Sequence, residues 1–102
     1  MSVDYSAHIL YGVLIDEKIY KQLLEEEADS YVYRSDCYTD QGDIVLGIKV
    51  KTLPFGKYTA IDPTALINEI CSNETEYNEF LDLLARYEIT DSPSFYGGVR
   101  VW

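Results

Sequence analysis

The chemistry open to this 102-residue chain is narrowed first by what its sequence lacks. It has one histidine, His8, and its two cysteines, Cys37 and Cys71, lie far apart in no CxxC or zinc-ligand spacing. GxSxG, Walker-type, HExxH and GxGxxG motifs are also absent. These absences favour a non-enzymatic protein that needs no metal or cofactor and keeps two reduced, half-buried thiols.

Basic residues are scarce as well. Eight Lys and Arg against eighteen Asp and Glu give a formal net charge of -10. Such a charge repels nucleic acid, polyphosphates and anionic membranes, so we expect no direct nucleic-acid or membrane partner. It attracts basic surfaces, and the expected partner is a protein whose own ligand is nucleic acid. The alternative is that the charge only keeps a small protein soluble.

Long apolar runs are missing too. No run approaches the ~20 residues of a membrane span, and Met1–Asp4 lack the positive region of a signal peptide. We therefore expect a cytoplasmic protein. The length and the 47% hydrophobic content predict one domain over residues 1–102.

Three apolar runs with internal glycines indicate the sheet. Ile9–Ile15 predicts a strand buried on both faces, and further strands are expected at 44–51 and 95–102. A possible edge strand at 31–37 and a short extended segment at 57–61 are weaker signals. Asp40–Asp43 is rich in turn residues and predicts the turn before the strand at 44–51. The first and last strands are expected to be neighbours.

Capping residues indicate the helices. Asp16 predicts a helix start and a helix to about Ala28, and Asp62-Pro63 predicts a helix to about Ser72. Asn73 precedes a third helix, whose apolar residues recur with a 3.6-residue period. The fold expected is α+β, with a mixed β-sheet of about three to five strands and about three helices packed on one face.

Glycines at the middle of the three main strands need a reason, because glycine weakens a strand. The favoured interpretation is that they let the third helix or its aromatic rings approach the sheet. The alternative is a pocket for a small molecule or a nucleotide over Gly12, Gly47 and Gly98.

Acids and tyrosines concentrate between the first helix and the next apolar strand. Tyrosine offers contact area at low entropic cost, and surrounding acids suit a basic partner. An ordinary hairpin with aromatic cross-strand pairs is the alternative. A homodimer is also compatible with these residues. The candidate partner-binding residues are Glu25, Glu26, Glu27, Asp29, Tyr31, Tyr33, Asp36, Tyr38 and Asp40.

The small, acidic, tyrosine-rich and motif-free character of the whole chain resembles bacteriophage accessory and anti-defence proteins. Some proteins of that group imitate DNA and occupy nucleases or CRISPR effectors. The resemblance implies an inhibitor that covers a nucleic-acid-binding surface of a host protein. It rests on composition and on no residue motif, so it assigns no site residues.

Overall fold

The computed structural model describes residues 5–36, 41–54 and 56–101. The chain is an α+β domain, as predicted, with three helices packed against a four-stranded sheet. Three residues of the predictions, Cys37, Tyr38 and Asp40, lie outside the described residues, as does the Trp102 end of the predicted last strand. The elements in chain order are β1 (Tyr5–Ile15), α1 (Glu17–Glu25), β2 (Val32–Asp36), β3 (Gln41–Leu53), α2 (Pro63–Ser72), α3 (Glu74–Arg86) and β4 (Ser94–Val101).

The two longest strands, β1 and β3, pair antiparallel at the centre of the sheet. β4 pairs antiparallel with the other edge of β1, which confirms that the first and last strands are neighbours, and β2 pairs antiparallel with β3. The sheet curls until its edges touch in one parallel pair, Asp36 with Val101, which closes it into a barrel. A register shift between Ile9 and Leu10 marks a bulge in the β1–β3 pair, and bulges strengthen this twist.

Gly12 and Gly47 stand opposite each other where β1 and β3 cross most closely. A Cβ at Gly12 would lie 2.2 Å from the Leu46 carbonyl oxygen, and one at Gly47 would lie 2.3 Å from the Tyr11 oxygen. The backbone of the paired strand therefore requires these glycines. The prediction that they admit the third helix or its rings is wrong, because no helix atom is among their nearest neighbours.

All three helices cover one face of the sheet. Alternation along the strands turns Tyr11 and Val13 to that face, where Leu23 of α1 and Phe80 of α3 are completely buried. Tyr11 also contacts Phe95, with ring centroids 5.0 Å apart. The core cluster comprises Val13, Leu23, Leu46, Ile48, Phe80, Leu83 and Leu84.

The opposite face is covered only in part. His8 is buried, but Leu14 is 45% exposed, so the predicted burial of the first strand on both faces fails at its C-terminal end. The extended segment expected at 57–61 does not form: it is irregular, and Tyr58 is fully exposed. Strand propensity without a partner strand was not sufficient there. Cys71 is exposed rather than half-buried.

The N-cap residues correctly predicted where α1 and α2 begin. Asp16 accepts a hydrogen bond from the Ile19 amide at 2.9 Å, and Asp62 accepts one from the Thr64 amide at 3.0 Å. Asn73 makes no such side-chain bond. The turn predicted at 40–43 does not form over 41–43, because β3 begins at Gln41, and Asp40 lies outside the described residues.

The close approach of β1 and β3 predicts losses of different size for two glycine substitutions. Gly12→Ala should lower the free energy of unfolding by about 3 kcal/mol, because the new methyl group meets backbone rather than a movable side chain. Gly97→Ala, whose Cβ would have nothing within 4 Å, should change it by less than about 1 kcal/mol. Urea denaturation of both variants measures the difference, and equal losses would contradict the strand-contact explanation.

Candidate functional site

α1 and α3 end in the same hydrogen-bonded motif. After α1, the Ala28 amide donates to the Leu23 carbonyl at 2.8 Å and the Glu27 amide to the Leu24 carbonyl at 3.2 Å. After α3, the amides of residues 89 and 88 donate to the carbonyls of residues 84 and 85 in the same pattern. These are Schellman motifs, which satisfy the last carbonyls of a helix.

Each motif places a glutamate where glycine is the usual residue. Glu27 and Glu88 both have φ 55°, in the left-handed region that costs a non-glycine residue about 1 kcal/mol. The helix dipole also disfavours negative charge at these C-termini. The left-handed turn at Glu27 explains why α1 ends at Glu25 and not at the predicted Ala28.

The two helix ends lie beside each other. The Tyr87 phenol, at the C-cap of α3, donates a hydrogen bond to the carboxylate of Glu26, the C-cap of α1. Glu25 and Glu88 border the same cleft between the helix ends. A second link joins the start of β2 to α3, because the Tyr31 phenol donates to the Glu79 carboxylate.

These links gather carboxylates into one region, which we call the acidic surface. In the segments that supply it, 25–29 and 76–88, Arg86 is the only basic residue. Within the described part of the chain, no ion pair within 4 Å involves Arg86. The acidic surface comprises eight exposed side chains: Glu25, Glu26, Glu27, Asp29, Glu76, Glu79, Asp82 and Glu88.

Tyr31 reports the electrostatics of this surface. Its hydrogen bond to Glu79, its desolvation and the nearby charges of Glu79 and Glu76 raise the pKa of Tyr31 to about 12. The phenol therefore remains a proton donor to the carboxylate throughout the ordinary pH range.

Arg34, a buried cation on the sheet, does not neutralise the acidic surface, because it is paired with Glu17 at the other end of α1. Arg34 on β2 is 7% exposed, and its Nη2 lies 2.5 Å from Glu17 Oε1 at the start of α1. Its guanidinium also lies over the Tyr20 ring, 5.3 Å from the centroid. The hydrogen bond from Arg34 lowers the pKa of Glu17. Arg34 thus anchors α1 to the sheet and leaves the carboxylates at the other end of α1 uncompensated.

The structure brings together part of the predicted partner-binding set. Glu25 to Glu27 and Asp29 are exposed at the end of α1 and after it, and Tyr31 lies between them and α3. Tyr33 faces the opposite side of the sheet, where it lines a cleft. Asp36 takes part in the pair that closes the barrel, while Tyr38 and Asp40 lie outside the described residues.

Glu76, Glu79, Asp82 and Glu88 of the acidic surface were not in the predicted set. The 3.6-residue period of α3 already placed Glu79 and Asp82 off its apolar stripe. What the sequence did not show was the contact between the ends of α1 and α3, since it depends on side chains far apart in the chain.

Gly12, Gly47 and Gly98, the glycines of the alternative pocket, do not line one common cavity among the described pockets. Gly12 and Gly47 face each other's strands and border no cavity among the described pockets. Gly98 does line a cleft of about 150 Å³ on the face of the sheet away from the helices. Leu10, Tyr33, Val45 and Tyr96 line the same cleft.

Comparison of the chain with family models, with curated proteins and with solved structures gave no match in any of the three. In the described part of the chain, no helix has the length and hydropathy to cross a bilayer, and no three His, Cys, Asp or Glu side chains are grouped as metal ligands.

Glutamate at the two left-handed positions is predicted to cost stability because of its backbone strain. Glu27→Gly and Glu88→Gly should each raise the free energy of unfolding by about 1 kcal/mol, because glycine adopts this backbone conformation without strain. Glu25→Gly, one residue before the C-cap, should lower it by about 1 kcal/mol. Denaturant titration of the three variants gives the signs, and destabilisation by all three would contradict the assigned strain.

The Tyr31–Glu79 hydrogen bond predicts a specific titration. In the folded protein the Tyr31 phenol should ionise near pH 12, and Glu79→Gln should lower its pKa towards 10. Because the folded pKa is the higher one, this bond contributes fully to stability below pH 10, and its contribution is lost as pH rises towards 12. NMR of labelled tyrosine follows the phenol, with Glu69→Gln as a control that removes a distant exposed charge. An unchanged Tyr31 pKa in Glu79→Gln would refute the bond.

Proposed function

We propose that this protein is a non-enzymatic interaction protein whose acidic surface covers a basic, nucleic-acid-binding surface of another protein. Such a role matches that of a phage-type anti-defence inhibitor. The observation that carries the proposal is the placement of Glu27 and Glu88 in strained left-handed positions at two adjacent helix ends. Local rules broken at one place, against stability, often mark a functional site.

Electrostatics supports the same partner chemistry. Eight exposed carboxylates with Arg86 as the only base in their segments create a strongly negative potential at the end of α1 and along α3. A basic partner relieves the mutual repulsion of these carboxylates and gains association rate through steering. A DNA duplex and anionic lipid are repelled by the same field.

Solubility alone explains a high net charge but predicts no particular distribution of it. Net charge keeps proteins dispersed wherever the charges lie. Solubility does not require acids at the negative ends of two helix dipoles. Placing them there, in a backbone conformation that disfavours glutamate, costs stability.

A matched pair of charge-reversal variants tests the proposal. Glu25→Lys with Asp82→Lys changes two carboxylates of the acidic surface that accept no tyrosine hydrogen bond. Asp43→Lys with Glu69→Lys makes the same change of net charge at exposed positions elsewhere. Each protein is used as bait in a cell lysate at low and at high salt, and duplex DNA is added as a competitor.

The expected result is a protein retained by the wild type and by the Asp43, Glu69 variant but lost from the Glu25, Asp82 variant. Affinity measured on that purified partner should fall at least about tenfold in the Glu25, Asp82 variant and should depend less steeply on salt. Duplex DNA should displace the wild type from the partner. Equal retention of both variants, or indifference to DNA, would refute the proposal.

A further inference from the structure

The cleft on the helix-free face of the sheet arises from how the barrel closes. Within the described residues, Asp36 with Val101 is the one ladder pair between β2 and β4, so no ladder hydrogen bonds join the rest of these two strands. Leu10 and Val45 of the central strands line the space between them, and Tyr33 and Tyr96 lie on the two flanking strands. Leu14, which is 45% exposed, also lines the cleft and marks its opening.

Gly98 keeps this space open. In the β1–β4 pair, Gly98 stands opposite His8 and Tyr96 opposite Leu10, so Gly98 shares the cleft face with residues that line it. A Cβ at Gly98 would have nothing within 4 Å. The glycine is therefore not required by packing, in contrast to Gly12, and a side chain at this position would project into the cleft.

Size and lining limit the ligand. A cavity of about 150 Å³ holds a molecule of roughly one ring, whereas drug-sized ligands and nucleotides need about 300 Å³ or more. Most of the wall is apolar, which makes the burial of an ion costly. His8, Arg34 and Asp43 also line the cleft, but Arg34 is paired with Glu17 and Asp43 repels anions. The tyrosine rings and Ser35 supply aromatic surface and a few polar atoms.

We propose that the cleft between β2 and β4 is a binding site for a small uncharged ring compound. The ring lies over Leu10 and Val45 between Tyr33 and Tyr96, on the wall left bare by Gly98. This site is independent of the acidic surface, because the two lie on opposite faces of the sheet. The sequence suggested a nucleotide pocket over Gly12, Gly47 and Gly98. The site proposed here is smaller, and Gly98 alone of these three glycines lines it.

Adjacent glycines supply a matched test. Gly98→Val fills the cleft. Gly97 also borders the cleft with its backbone, but alternation turns a side chain there to the other face of β4, where a Cβ meets nothing within 4 Å. Gly97→Val therefore adds the same side chain outside the cleft. Phenol and indole are titrated into each protein as uncharged probes, and benzoate serves as the anionic counterpart. Backbone NMR follows binding residue by residue and shows whether each variant is folded.

We expect phenol or indole to bind saturably to the wild type and to Gly97→Val. The NMR shifts should be centred on Val45 and Tyr96. Gly98→Val should bind at least about tenfold more weakly, and benzoate should not bind. If Gly98→Val fails to fold, Leu14→Trp, which enlarges an exposed residue at the opening, tests the same obstruction. No saturable binding to the wild type, equal binding by the filled variant, or shifts centred on the helices would overturn the proposal.

Discussion

The contact between the backbones of β1 and β3 at Gly12 and Gly47 is the constraint on which the rest of this structure depends. It allows the two longest strands to cross closely and to twist, and the twist brings the outer strands β2 and β4 round to meet. One face of the curled sheet then receives all three helices. The other face encloses a cleft because the outer strands meet at one end only.

The carboxylates at the ends of α1 and α3 lower the stability of the fold. Leu23 and Phe80 hold α1 and α3 on the sheet by burial, while the chain places carboxylates where the two helices end. Phenol donors from Tyr31 and Tyr87 make the arrangement possible, since each satisfies a carboxylate without neutralising it. Arginine in their place would bind as firmly and would remove the negative field. The choice of tyrosine thus preserves charge while it ties the elements together.

Sequence patterns predicted the structural features that depend on residues close together in the chain. The bounds of α2 followed from Asp62 and Pro63, and the α+β class followed from alternating and 3.6-residue periods. The end of α1 was mistaken because a left-handed glutamate contradicts the residue preference that such predictions use. Gly12 and Gly47 are sites of close approach, as predicted, whereas Gly98 is not. What approaches the first two is the paired strand, and that depends on register, which no local pattern reveals.

The same limit applies to the candidate sites. Acids at the end of α1 were visible in the sequence, whereas their union with the flank of α3 depends on a hydrogen bond between Glu26 and Tyr87. For the cleft, Gly98 was visible and its partners Leu10 and Val45 were not, because their faces become defined only when β1 is paired on both edges.

Pairing of β1 with β4 also has a kinetic consequence. It joins the first and the last described strands, so its formation must close almost the whole chain into a loop before any hydrogen bond of that ladder is gained. The helices and the β2–β3 hairpin involve much shorter loops and form at lower entropic cost. We therefore expect docking of β4 to be a late step of folding, and the cleft forms only with that step.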